Sequence, residues 1–397
     1  MLLLQKTDVS RNLAVGGPEG RNCPSQSRDG LSANLDFLRA VAVSCVFADY
    51  VIGTVLNLQS AILSALGRIG VLIFFVHTAL VLMGSLSRER RFTGWIARFY
   101  LRRIFRLYPL SLLFILIALA YKIPRGPRGV FEIHSATVIL SNVFLCQNFV
   151  QDHSIVGPMW SLPYEVQMYV LLPFIFLALS RAGRQCIALI VLTVAALALA
   201  RLNYTWPPDC PVFTFFPCFM GGVLMYQLKK YFAPKLHAWT WPIFVVGTLI
   251  YILLELRSPD LRHQWLVCIV FGLAIPHCNE LRSRSVVVPS GQLAKYSYGV
   301  YLSHDTLLWL FFVKLHVTLC LAWSCFALTA TFLPIVLFHL IENPMLKLGG
   351  RLTSVDRAGK KTIRRYGNNS PVKATFRGQS YSSPLLSGSE AAVATEG

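Results

Sequence analysis

The chain has 397 residues, 55% of them hydrophobic and only 14% charged, with a mean hydropathy of +0.55. A soluble domain carries roughly a quarter charged residues, so this composition excludes an ordinary soluble protein. The net charge of +19 does not point to nucleic acid, because the 37 Lys and Arg fall in short bursts between apolar runs that recur nearly end to end, the pattern of a membrane protein's loops.

Residues 1–34 are polar, with Gly, Pro, Ser and scattered Arg, and read as a flexible cytoplasmic arm; Met1 to Leu4 is too short for a signal-peptide core. Beyond them, a membrane span needs about 20 apolar residues. Candidates lie at 35–57, 68–87, 100–121, 163–180, 185–201, 212–228, 241–256, 264–279, 296–315 and 317–341. The expected fold is all-α: a polytopic membrane bundle of about ten transmembrane helices over residues 35–350. From 351 to 397 the chain is rich in Ser, Gly, Arg and Lys without apolar periodicity, and reads as a disordered, basic cytoplasmic tail.

Orientation follows from the Lys/Arg bias. The strongest burst is Arg88, Arg90, Arg91, Arg98, Arg102, Arg103 and Arg106, with Glu89 as its one acid. Placing it in the cytoplasm puts Arg181/Arg184, Lys229/Lys230/Lys235, Arg282/Arg284/Lys295 and both termini on the same side. This requires that the short apolar stretch Ala136 to Phe149 does not cross, and leaves Lys122, Arg125 and Arg128 on an outer loop against the rule. The ten cysteines contain no CxxC pair and no metal-like Cys/His spacing, so no metal is expected. Cys146 and Cys210 both fall in outer segments and could pair.

Ionisable groups inside a membrane are costly, so each is a functional candidate. Arg39 and Tyr50 are eleven residues apart in the first candidate helix, hence about 20° apart on one face and roughly 16 Å apart along the axis. They either line one channel or are, respectively, a headgroup-reaching arginine and an ordinary core tyrosine. Arg102 and Arg106 share a helix face, with Arg103 beside them. They are either plain topology signal or a phosphate-binding cluster suited to guanidinium geometry. Glu165 opens a helix near the outer side, either as an acid favoured by the helix dipole or as a group that orients a substrate hydroxyl. His77 and His304 are single histidines on apolar helices, open to a core or a catalytic reading.

The run Leu35-Asp36-Phe37-Leu38-Arg39-Ala40-Val41-Ala42-Val43 resembles the opening of the acyltransferase-3 superfamily of integral membrane acyltransferases. The resemblance continues at Gly70 to Val76 and at Phe99-Tyr100-Leu101-Arg102-Arg103-Ile104-Phe105-Arg106-Leu107-Tyr108-Pro109. Trp160-Ser161-Leu162-Pro163-Tyr164-Glu165 is similar to the family's Trp-Ser-Leu-x-x-Glu element, and Tyr296 to His304 and Leu340-Ile341-Glu342-Asn343-Pro344 to its closing signatures. It implies transfer of an acyl group, commonly acetyl, from acyl-coenzyme A to a hydroxyl of a carbohydrate or glycolipid acceptor. It implies no permanently bound cofactor, and partners limited to membrane lipid, acyl-coenzyme A and that acceptor. The expected setting is a bacterial inner membrane. Arg39, Arg102, Arg103 and Arg106 would hold the donor, and Glu165, His304 and Tyr50 would make up the catalytic group. Tyr50, preceded by Asp49, stands where the family has its proposed histidine. Three readings follow: another histidine serves as base, Tyr50 with Asp49 supports a different chemistry, or the chain is a catalytically impaired binding or transport bundle.

Overall fold

The computed structural model describes residues 32–354, apart from 58–60, 126–128, 133–134, 151–152, 206–210, 230, 232–234, 241, 244–245, 248–249 and 251–260. The described residues are 83% helical, with no strand among them, as the apolar runs predict. The expected arm at 1–31, the tail beyond 354, Cys210 and most of the candidate span at 241–256 lie outside the described residues.

Helix α1 (Ala33–Val55) leads through a short connection to α2 (Ala61–Glu89), and a turn through Gly94, at φ +65°, opens α3 (Trp95–Ala120). Such a left-handed turn suits glycine, which has no Cβ to clash. The α4 helix (Ala136–Val143) has eight residues, about 12 Å at 1.5 Å per residue, too short to cross a membrane. Two 3₁₀ turns, Gln147–Phe149 and Gly157–Ser161, lead into α5 (Leu162–Arg181), then α6 (Gln185–Thr205), α7 (Pro211–Thr214) and α8 (Phe216–Leu228). After α9 (Leu261–Ala274) comes α10 (Arg284–Trp309), which runs into a π turn at Leu310–Lys314. Helix α11 (Leu319–Leu337) passes through a second π turn, Phe338–Glu342, into α12 (Asn343–Leu352).

Among the described residues, five helical stretches are long and apolar enough to cross a membrane: Leu63–Glu89, Trp95–Ala120, Gly157–Arg181, Gln185–Asn203 and Leu319–Leu352; Phe216–Leu228 and Gln264–His277 are shorter apolar helices. The α6 helix shows why composition predicts spans so well. Ile187, Ile190, Val191, Val194 and Leu202 are exposed on it, an outward apolar face that only acyl chains would solvate well.

The core forms where α2 packs against α1, α5 and α8, with α10 on the other side of α1. Small residues permit the closest approaches, as membrane helices require when no hydrophobic effect drives them together. A Cβ at Gly222 would collide with the carbonyl of Val76, and one at Gly221 with that of Cys268. A polar clasp fixes the start of α1. Ser32 hydrogen-bonds the Glu280 carboxylate, the Asn34 amide donates to Glu280 Oε2 (3.1 Å), and Asn34 Oδ1 accepts from the Leu281 N–H (2.9 Å). Residues 351–354, the last described, belong to a unit separate from residues up to 350.

Candidate functional site

The basic segment of α3 distributes its arginines by helix geometry. Successive residues diverge by about 100°, so Arg102 and Arg103 cannot share a target. Arg102 pairs with the buried Glu89 at the end of α2. Arg103 turns inward: its Nη2 donates to Ser85 Oγ (3.0 Å) and its guanidinium lies 5.5 Å from the Phe99 ring centroid. Arg106, almost one turn further on, faces the same way. From α1, Arg39 Nε donates to Ser297 Oγ at 2.6 Å, and Ser297 passes a hydrogen bond to the Ala294 carbonyl (2.8 Å).

Glu165 meets these arginines. The 3₁₀ turn Gly157–Ser161 is almost wholly buried, with Gly157, Pro158, Met159 and Ser161 all inside, so the chain is already within the bundle when α5 begins. Pro163 near the first turn suits that start. Glu165, expected near the outer side, stands in the first turn of α5 directly after this buried turn. It lines one cavity with Arg39, Arg103 and Arg106, of about 740 Å³. Tyr169, one turn along α5, donates to Glu165 Oε1 at 2.5 Å and orients the carboxylate.

Tyrosines of α10 close the walls. Tyr298 hydroxyl donates to the Leu107 carbonyl (2.8 Å) and bonds Ser111 Oγ (2.7 Å), which ties α10 to α3. Tyr301 hydroxyl contacts Ser161 Oγ (2.8 Å) and the Pro158 carbonyl (2.6 Å), which ties α10 to the buried turn. His77 and Thr78 of α2 complete the polar lining. Glu342, in the second π turn, is buried within electrostatic reach of Arg106 and Arg39.

The cavity holds three of the four expected donor-binding arginines; Arg102 is engaged elsewhere. Tyr50 and His304 do not line it. Instead their rings meet edge to face, with centroids 4.5 Å apart. His304 Nδ1 bonds the Val300 carbonyl at 3.1 Å, which places the ring hydrogen there, while its Nε2 is buried without a hydrogen-bond partner among the described residues. Asp305 beside it is also buried, with Oδ1 unpartnered among the described residues. Lining residues that the sequence places in family-like motifs but gives no role of their own are Tyr169, Ser297, Tyr298 and Tyr301. Their signal was polar side chains recurring at helical spacing (165/169 and 297/301) in otherwise apolar helices.

The acyltransferase domain of the acyltransferase-3 family matches residues 32–339. The chain belongs to this family. The match spans every helix that contributes to the cavity, from Arg39 of α1 to Tyr301 of α10, and with the apolar helices it makes the chain an integral membrane acyltransferase. No curated protein and no solved structure matches the chain.

Proposed function

We propose that this acyltransferase-3 member takes an acyl group, acetyl being the expected one, from acyl-coenzyme A and gives it to a hydroxyl of a carbohydrate or glycolipid. The observation that carries the reading is the convergence of Arg39, Arg103 and Arg106 with Glu165 in one cavity. Guanidinium groups bind phosphate oxygens in bidentate fashion, and coenzyme A is an anion with several phosphates. The acceptor oxygen attacks the thioester carbonyl carbon, the C–S bond breaks, and the hydroxyl proton passes through a protein base to the departing thiolate. Glu165, held by Tyr169, and the imidazole of His77 are the groups on the cavity wall able to take that proton. Tyr50 and His304 act from behind the wall. The arginine-rich end of the bundle faces the cytoplasm, where coenzyme A is found, with both termini on that side of a bacterial inner membrane.

The test uses purified full-length protein in lipid nanodiscs, with coenzyme A binding and acyl-coenzyme A consumption as separate readouts. Saturable binding that falls in Arg103→Gln and Arg106→Gln is expected. A wild-type protein that neither binds coenzyme A nor consumes its acyl esters across donor lengths would end the reading. One observation favours the second reading, an impaired member that only binds: the tyrosine at position 50. Turnover that appears only in Tyr50→His would support it.

A further inference from the structure

A second cavity, of about 480 Å³, is lined by Asp49 and Tyr50 of α1, Ser64, Gly67 and Arg68 of α2, and Trp160 and Tyr301. It flanks the connection from α1 to α2, whereas the arginine cavity draws on Arg39 near the start of α1 and Arg103 and Arg106 in the first half of α3. Tyr301 lines both, and its two hydrogen bonds to the buried 157–161 turn hold it as a septum between them.

The lining of this cavity differs in kind from that of the arginine cavity. Asp49 supplies acceptor oxygens, and Arg68, within its electrostatic reach, supplies donors. The two charges offset one another, so the site does not select a strong anion as the three arginines do. Tyr50 and Trp160 add aromatic faces, and Ser64 a hydroxyl. A carboxylate, a guanidinium and aromatic faces around one small space match a ring that carries hydroxyls on its edge and C–H groups on its faces. The backbone is fitted to this lining: the Asp49 carboxylate lies directly on Gly67, where a Cβ would collide with it. Behind Tyr50, His304 packs against the ring edge to face and fixes its position.

We infer that this second cavity is the acceptor site and takes one polyhydroxylated ring, a sugar unit, which Asp49 and Arg68 hold by its hydroxyls against Tyr50 and Trp160. The inference rests on the donor reading of the arginine cavity, and seats the acceptor ring next to it at Tyr301, with the reacting hydroxyl directed past Tyr301 toward the thioester and Glu165 or His77. It also gives Tyr50 a binding role in place of the base that a histidine would supply.

The experiment titrates methyl glycosides of neutral, acidic and amino hexoses into the full chain in nanodiscs. Tryptophan fluorescence is the readout, with coenzyme A binding measured in parallel. The expected result is a saturable change in wild type with at least one glycoside, absent in Trp160→Phe. The affinity should weaken at least tenfold in Asp49→Asn, Arg68→Gln and Gly67→Ala, the last displacing Asp49 without removing a charge. Coenzyme A affinity should stay within twofold in all four variants. If no glycoside binds while coenzyme A does, the inference is overturned and the donor reading stands. Glycoside binding that survives Asp49→Asn and Arg68→Gln, or that coenzyme A competes away, overturns it equally. If glycoside binds as expected and coenzyme A does not, the second site stands and the donor reading fails.

Discussion

Arg39→Lys tests the donor site while keeping the charge. In wild type, Nε–H of Arg39 is committed to Ser297 Oγ at 2.6 Å, so the planar fork is fixed in rotation and its two terminal nitrogens remain for a ligand. Lysine offers a single ammonium on a flexible stem, and cannot both reach Ser297 and present a fork. A hydrogen bond to a charged group contributes about 1.5–3 kcal/mol, which at 1.4 kcal/mol per tenfold corresponds to roughly 10- to 150-fold weaker coenzyme A binding. Ser297→Ala leaves the guanidinium in place but removes its anchor, and should weaken binding by roughly 3- to 10-fold at about 1 kcal/mol. The assay is equilibrium binding of coenzyme A in nanodiscs, with thermal unfolding as the check that the bundle is intact. If Arg39→Lys folds normally and its Kd stays within twofold of wild type, Arg39 does not contact the donor and the assignment of the cavity is wrong.

Glu165→Gln keeps the shape of the side chain and its contact with Tyr169 but removes the base; turnover should fall at least about 100-fold while coenzyme A affinity changes only a few-fold, seen as a loss in kcat with KM preserved. Asn34→Ala removes the acceptor for the Leu281 N–H and a donor to the Asn279 carbonyl (3.1 Å), so stability should drop by about 1–3 kcal/mol, read as a lower Tm; an unchanged Tm would show the clasp to be dispensable. Gly222→Leu places a side chain against the Val76 backbone, and should abolish the folded, monodisperse protein in size-exclusion chromatography, whereas Gly53→Ala, with open space around its Cβ, should not.

Most of the fold was legible because a membrane imposes a simple rule. Where a helix presents a mostly apolar outward face, as α6 does, a hydropathy reading suffices. The errors fall where a helix faces a cavity. Helix α2 was expected from 68 but begins at Ala61, because Ser64, Gly67 and Arg68 line the second cavity and lower the apolar score of its first turns. Helix α10 was expected from 296 but begins at Arg284, since its first half is polar. The site was legible through its residue types: Arg39, Arg103, Arg106 and Glu165 were named from charge within apolar surroundings. Their convergence was not, because it depends on the buried 157–161 turn that carries Glu165 into the bundle. Which of two adjacent arginines faced inward was also closed to sequence, since Arg102 and Arg103 differ only in what α2 offers them, Glu89 for one and Ser85 for the other.

The charge balance around the arginine cavity gives its most general argument for a ligand. Charged groups in a low-dielectric bundle persist only when paired. Arg39, Arg103 and Arg106 bring three positive charges; Glu165 on the wall and Glu342 behind it bring two negative ones. The cavity lies among α1, α2, α3, α5 and α10, and these two carboxylates leave one of its positive charges unmatched. A purely structural cluster would have evened its count, as Arg102 and Glu89 do one for one a turn away. An excess of one cation, with Arg103 Nε buried and unpartnered among the described residues, leaves a site whose electrostatics are completed by an incoming anion rather than by the protein itself. Neutralising Glu342 should therefore strengthen anion binding, and neutralising Arg106 should weaken it. A site held together only by internal ion pairs would respond to both changes by losing stability alone.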